Sequence, residues 1–292
     1  MYELKSKREK IKTFMIFAFV PLFAFVTVLV IPFLLGVIMT FTNSNGVNVG
    51  SFVGLSNYVA ALSEKDFFAT FFTTIKFVIC SMILVNLTGF GLALLVTSGI
   101  KAQNAYRSIF FVPNLIGGII LGFIWQFVFS RVLVYIGSSA GIELFKQSWL
   151  VDPTMAFWAI VLVTVWQQSG YMMLIYIAGI VGIPHELIEA SRVEGASAIQ
   201  QLLKIKLPLM MQSFTISLFL TLKNAFMMYD VNLSLTGGGP YRSTELITMN
   251  IYNDAFLYQK YGTAQAKAVL LFIIVAVIAV LQVYFTKKKE VD

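Results

Sequence analysis

The sequence predicts an all-α membrane protein with about six transmembrane helices, and three observations predict it. Of its 292 residues, 58% are hydrophobic and 12% charged. Soluble domains carry about 25% charged residues, so this chain lacks the polar groups to cover a surface in water. Continuous apolar runs occupy residues 14–39, 70–98, 108–129, 154–182, 208–230 and 264–286, each long enough for a spanning helix of about 20 residues. The 21 lysines and arginines fall unevenly on the segments between these runs. At bilayer depth no water satisfies backbone N–H and C=O groups, so an unbroken apolar run must close its hydrogen bonds within itself, as a helix. A membrane barrel would alternate apolar and polar residues instead.

Taken in order, residues 1–13 form a basic tail with Lys5, Lys7, Arg8, Lys10 and Lys12. The apolar run that follows is longer than the core of a signal peptide and has no small-residue cleavage site, so it is expected to remain as the first span. That run contains Pro21 and Pro32, the second Gly89 and Gly91, the third Pro113, Gly117 and Gly118, and the fourth Gly170. Breaks of this kind suit helices beside a transport path, and they also suit the general enrichment of glycine and proline in membrane helices. Residues 14–286 read as a single transmembrane domain, with a cytoplasmic loop at 183–207 and a second cytoplasmic tail at 287–292.

Charge sets the expected orientation. Residues 1–13, 99–107, 183–207 and 287–292 hold thirteen basic residues, adding Lys101, Arg107, Arg192, Lys204, Lys206, Lys287, Lys288 and Lys289 to the five in the first tail. The segments near 40–69, 130–153 and 231–263 hold Lys65, Arg131, Lys146, Arg242 and Lys260. Cytoplasmic loops are enriched in Lys and Arg, so both termini are expected in the cytoplasm of a bacterial cell, the chain crossing its membrane several times. The net charge of +7 follows this topology and forms no aromatic-interleaved stripe, so nucleic acid is not an expected partner; lipid is.

Catalysis is not expected. The single cysteine, Cys80, offers no disulfide or thiolate metal site, and the single histidine, His185, lies beside no ligand array. The nucleotide-loop pattern G-x-x-x-x-G-K-[ST] does not occur. No cofactor or metal is therefore assigned to this chain. The loops opposite the basic ones are too short for an independent domain, so capture of a solute outside the membrane would fall to another protein.

The most informative segment separates the fourth and fifth runs. Pro184 suits the first position of a helix, Glu186 and Glu189 favour its N-terminal end, and Gly195 suits its close. Leu187, Ala190, Ser191 and Glu194 fall at i, i+3, i+4 and i+7, giving one face with small residues at its middle. Such a face admits another protein closely, with Glu189 and Arg192 as charged flanks. An amphipathic connector lying on the membrane is the alternative.

Glu189-Ala190-Ser191, then Gly195 after three intervening residues, and the later Leu207-Pro208 resemble the EAA loop of ATP-binding-cassette importer permeases. Ser191 replaces the usual second alanine, and Glu194 stands where many sugar permeases have aspartate. Leu235-Thr236-Gly237-Gly238-Gly239-Pro240, with Ser243, Thr244 and Glu245, resembles the L-T-x-G-G-P segment of permeases for maltose, raffinose-type oligosaccharides and glycerol phosphate. Phe111-Val112-Pro113, Trp125 and Phe129 are similar to further elements of sugar permeases. The resemblance implies a type I importer permease (MetI-like) fold and a non-catalytic transport subunit. It implies that Glu189, Ala190, Ser191, Arg192, Glu194 and Gly195 form the ATPase-coupling helix. The implied partners are a homologous second permease, two ATPase subunits that hold ATP and Mg, an extracellular solute-binding protein, and a sugar or oligosaccharide. An importer of a non-sugar solute such as glycerol phosphate is the near alternative.

Sugars are bound by amides, hydroxyls and aromatic faces. Trp166, Gln167, Gln168 and Tyr171 in the fourth run, and Thr221, Lys223, Asn224, Tyr229 and Asp230 in the fifth, are the candidate path residues. Each is equally suited to hydrogen-bonding between membrane helices. A lysine near mid-span costs at least ~2.5 to 3.5 kcal/mol and therefore faces a cavity or a partner. Asp230 is expected about two turns beyond Lys223 on one helix. Lys76 and Lys267 are expected to snorkel from the ends of their spans. An ion-coupled secondary carrier would need buried carboxylates at the midplane, and Asp230 alone approaches that description.

Overall fold

A computed structural model describes residues 7–46, 48 and 50–290. Lys5, the side chains of Lys7, Arg8 and Lys10, and the extreme ends of both tails lie outside the described residues. The described chain is helical, with one isolated bridge between Thr42 and Phe52. Among the described residues five helices are long and apolar enough to cross a membrane: Phe19–Met39, Lys65–Val96, Gly118–Ala140, Pro153–Val181 and Tyr261–Lys287. A bent pair, Ala198–Leu209 and Met211–Phe226, turns through 69° and brings the number of spans to six if counted as one. In chain order these are the first, second, third, fourth, sixth and fifth spans respectively, the bent pair being the fifth.

The fourth span shows how the local sequence makes the helix. Asp152 accepts a hydrogen bond from the Met155 N–H at 2.8 Å, Pro153 occupies the start of the helix, and 29 residues then run to Val181, the helix continuing unbroken through Gly170 and Gly179. Outward-facing side chains such as Val28, Leu29, Phe123, Phe127, Val280 and Phe285 are exposed. Exposed apolar surface on this scale is the surface of a protein solvated by lipid.

Two spans depart from expectation. The third, expected at 108–129, begins at Gly118 and continues to Ala140. Pro113 has no N–H to donate and ends the preceding helix Gln103–Phe111 in a short 3-10 turn, while Gly117 is extended. With no proline before the left-handed Gly141 that caps it, the helix runs on through Gly122, Arg131 and Gly137, although Arg131 was expected in a loop. The fifth span, expected straight to residue 230, ends at Phe226, and Asp230 opens a separate helix, Asp230–Leu235. Lys223 and Asp230 therefore do not share a helix.

The chain forms two compact units. The first is drawn from Met1–Glu64 and Ile251–Leu270. There the Asn57 amide donates to the carbonyls of Thr40 and Thr42 at 2.8 and 2.9 Å, and the Tyr58 hydroxyl donates to the Thr40 hydroxyl at 2.9 Å. Lys267 is fully buried in this unit and pairs with Glu64 at 2.5 Å and with Asp254. It does not snorkel, because a buried ammonium is tolerated where carboxylates compensate it. Lys260 adds a second contact to Glu64 at 3.3 Å. Burial pushes the Glu64 carboxyl up, but hydrogen bonding and charge from Lys267, with Lys260, hold it below the usual carboxylate range.

The second unit comprises Lys65–Asn250 and Leu271–Asp292. Its core has two apolar clusters. One gathers Phe77, Leu121, Phe129, Phe157, Ile160, Leu222, Phe226 and Leu246; the other gathers Val85, Ala93, Met172, Tyr176 and Met210. Lys76 lies 4.5 Å from the centre of the Phe157 ring, a cation–π contact. In the turn after Pro240, Arg242 pairs with Glu245 and with Asp66, each at 2.5 Å. The hydrogen bond to Glu245, followed by that to Asp66, raises the guanidinium pKa.

Candidate functional site

The short helix His185–Val193 follows the fourth span. Pro184 is its N-cap, one position earlier than expected. At the other end Gly195 has φ +79°, a left-handed conformation that costs most side chains about 1–2 kcal/mol. From that position its N–H donates to the Arg192 carbonyl at 3.0 Å, while the Ala196 N–H reaches the Ser191 carbonyl at 2.9 Å. This pair of bonds satisfies carbonyls that a helix end otherwise leaves open. The next helix is capped independently: Ser197 Oγ accepts from the Gln200 N–H at 3.3 Å, and Gln200 Oε1 accepts from the Ser197 N–H at 2.8 Å.

Leu187, Glu189, Ala190, Arg192, Val193 and Glu194 are exposed. Ser191 is not on that face. It is buried, its hydroxyl donates to the Ile188 carbonyl at 2.7 Å, and Ile188 packs against the cluster containing Tyr176 and Met210. Ile188 and Ser191 thus seat the helix on the body of the unit, and the outward surface is made by Leu187, Ala190 and Val193 with the charged residues beside them.

Further along the same spans is a cleft of about 330 Å³. Asn114 contributes from the break before the third span, Gly118 from the start of that span, Gln167 and Gln168 from the fourth, and Lys223 and Asn224 from the fifth. The non-helical stretch Met227, Met228 and Tyr229, followed by Asp230 and Val231, completes the lining. That stretch contains no glycine or proline. The Thr248 hydroxyl donates to the Met228 carbonyl at 2.5 Å, replacing a helical bond, and irregular backbone at such a place is tolerated where it borders a cavity.

Six of the nine path candidates line this cleft: Gln167, Gln168, Lys223, Asn224, Tyr229 and Asp230. Trp166 instead lies edge-on to Trp125, ring centres 5.4 Å apart, and Tyr171 lies 6.5 Å from Phe111. Thr221 is fully buried among the helices. Asn114, Met227 and Met228 were not anticipated: reading 108–129 as continuous helix hid Asn114, although the adjacent Pro113 marks the break that presents it. Gln167 Nε2 donates to the Ile116 carbonyl at 3.2 Å, fixing the cleft wall. Gln168 is 6% exposed, and its Oε1 is buried without a hydrogen-bond partner. Buried polar groups are normally paired, so this orphaned oxygen beside the cleft is one that a small shift of the amide would present to a solute's hydroxyl. The lining as a whole offers amides, a phenol, one cation and one anion, which is chemistry for binding a polyhydroxylated solute. Among the described residues no three His, Cys, Asp or Glu side chains are placed to hold a metal ion.

A family model described as binding-protein-dependent transport system inner membrane component matches residues 85–291. The chain is 45% identical over 271 residues to the probable starch degradation products transport system permease protein AmyD of Thermoanaerobacterium thermosulfurigenes, covering 93% of this chain and 92% of the relative. It is 31% identical over 276 residues to the multiple sugar-binding transport system permease protein MsmF of Streptococcus mutans, covering 94% and 95%. A chain of a bacterial alginate ABC transporter, crystallised in complex with an alginate pentasaccharide-bound periplasmic protein, matches with a TM-score of 0.84 at 18% identity over 97% of this chain and 98% of that one. That likeness is one of fold.

Proposed function

This chain belongs to the family of binding-protein-dependent transport system inner membrane components, and from that premise we propose that it is a permease subunit of an ATP-driven importer for a sugar or oligosaccharide. The observation that carries the reading is a single connection. The helix His185–Val193 joins the fourth span to the fifth, and those two spans supply Gln167, Gln168, Lys223 and Asn224 to one cleft. A force applied to the exposed helix therefore has a short covalent route to both walls.

In this multi-pass membrane protein, Glu189, Ala190, Arg192, Glu194 and the Gly195 cap dock an ATPase subunit in the cytoplasm, with Ser191 seating the helix from behind. Both termini lie on the same cytoplasmic side of a bacterial cell membrane. A homologous second permease completes the path, two ATPase subunits bind and hydrolyse ATP with Mg, and an extracellular binding protein delivers the solute. Closure of the ATPases moves the docking helices and rocks the spans around the cleft. The choice of a sugar over glycerol phosphate is supported by the substrates named for the two relatives compared above.

The test is reconstitution. The chain, its second permease and their ATPases are placed in proteoliposomes with ATP inside and the binding protein outside, and uptake of a labelled malto-oligosaccharide is measured. Uptake that needs both ATP and binding protein is expected. Uptake by this chain alone, driven by a proton or sodium gradient, would reject the reading.

A further inference from the structure

Asn86, on the second span, is the centre of a buried polar node where three spans meet. Its Oδ1 accepts from the Tyr176 hydroxyl of the fourth span at 2.7 Å and from the Ser217 hydroxyl of the fifth at 2.5 Å. Its Nδ2 donates to the Thr221 hydroxyl of the fifth span at 3.3 Å and to the Met82 carbonyl at 2.7 Å. Tyr176, Ser217 and Thr221 are fully buried. The hydrogen-bonding capacity of this one amide, two donors and two acceptor positions, is therefore in use.

Such a node resists sliding. If one span moves along another, a buried hydroxyl or amide loses its partner with no water to replace it, and an unsatisfied buried group costs more than a satisfied one gains. Apolar packing alone is more permissive, because one pair of apolar side chains can be exchanged for another at little cost.

The location gives the node its meaning. On the fourth span Tyr176 lies eight residues after Gln168, roughly 12 Å along the helix, and nine residues before His185, which opens the next helix. On the fifth span Ser217 and Thr221 lie between the bend at Met210 and the cleft residues Lys223 and Asn224. The node thus sits between the exposed helix and the cleft on both spans that the helix connects.

We propose that Asn86 is a positioning residue for coupling. It locks the second, fourth and fifth spans into one lever, so that displacement of the docking helix arrives at the cleft instead of dissipating between helices. Asn86 itself touches neither the cleft nor the docking face. The inference rests on the importer reading.

The neighbouring aromatic rings make it testable. Phe90, Tyr176 and Phe214 pack with ring centres 4.7 to 5.4 Å apart, a cluster that Tyr176→Phe leaves in place. In the complete importer in proteoliposomes, the quantity to measure is sugar imported per ATP hydrolysed, for Asn86→Leu and for the double variant Tyr176→Phe with Ser217→Ala. Both are expected to co-purify with their partners and to keep basal ATP hydrolysis within about twofold, while the import ratio drops about fivefold or more, the scale of one lost buried hydrogen bond. A merely structural role would reduce import and hydrolysis together and leave the ratio unchanged. An unchanged ratio in Asn86→Leu overturns the proposal; if that variant does not assemble, an unchanged ratio in the double variant does so. Absence of any ATP-dependent import by the unsubstituted complex is a different result, and it would fall on the proposed function instead.

Discussion

Gly170 of the fourth span lies directly against the main-chain carbonyl of Phe110: a Cβ at position 170 would fall on the Phe110 oxygen and close to the Phe111 Cα. The obstacle is backbone, which cannot swing aside as a flexible side chain would. Gly170→Ala should therefore push the helix Gln103–Phe111 away from the fourth span, with an overpacking cost of about 1–3 kcal/mol. Thermal unfolding of the detergent-purified protein would show a lowered midpoint. An unchanged midpoint would mean that the two segments separate freely.

Gly195 is limited by its conformation, since nothing lies within 4 Å of where a Cβ would be. Gly195→Ala should cost about 1 kcal/mol through the left-handed backbone, whereas Gly195→Asn, a residue that visits this region more readily, should cost less. Co-purification with the ATPase subunit is expected to weaken in the order glycine, asparagine, alanine. The reverse order would show that space, not backbone conformation, governs the position.

Gln168→Leu separates stability from transport. The substitution removes a buried oxygen with no partner, so thermal stability should be unchanged or slightly raised. Import of sugar should fall by about tenfold, the worth of about 1.4 kcal/mol at a site built to hydrogen-bond a hydroxyl. Normal import in this variant would remove Gln168 from the solute path.

The pair formed by Lys267 and Asp254 should behave as a unit. Lys267→Met strands a buried carboxylate and should destabilise the protein by about 3–5 kcal/mol. Adding Asp254→Asn should recover a large part of that loss, as read from denaturation midpoints of the single and double variants. A double variant no better than the single one would place the penalty elsewhere.

Glu64 makes stability depend on pH. Its carboxyl is held below the usual range, so its contribution is complete above the unfolded value, about 4.3, and disappears as the pH falls through the folded value. Glu64→Gln should lower the melting midpoint at pH 7. The difference from the unsubstituted protein should shrink as the pH is taken below 4, and a difference that grew in acid would contradict the assignment.

Much of this architecture was legible in the residues because lipid imposes a simple rule. Apolar runs at 70–98, 154–182 and 264–286 had to be helices, and they are, within a few residues at each end. The short helix at 185–193 was equally readable, since Pro184 and Gly195 act through local geometry. What escaped was decided at a distance. The helix break at 227–229 has no breaker in its sequence and depends on Thr248, about twenty positions later. Ser191 fell on the apparent docking face by spacing, yet its burial is set by packing of Ile188 against other segments. Lys267 looked like a snorkelling lysine until folding placed Glu64 and Asp254 around it. The cleft residues were nameable from their chemistry, but their convergence required the break at Pro113 and the end of the fifth span at Phe226.

The two successive closures after the helix His185–Val193, the left-handed Gly195 that ends it and the Ser197–Gln200 pair that starts the next helix, bear on how often it can be used. A disordered tether would have to surrender about 1–2 kcal/mol of chain freedom per residue at every attachment. Here that freedom is already gone before a partner arrives, so attachment and release can repeat with each turnover without an order–disorder transition. Affinity is then left to the chemistry of the exposed face, where substitutions would tune the strength of grip without altering the shape of the handle.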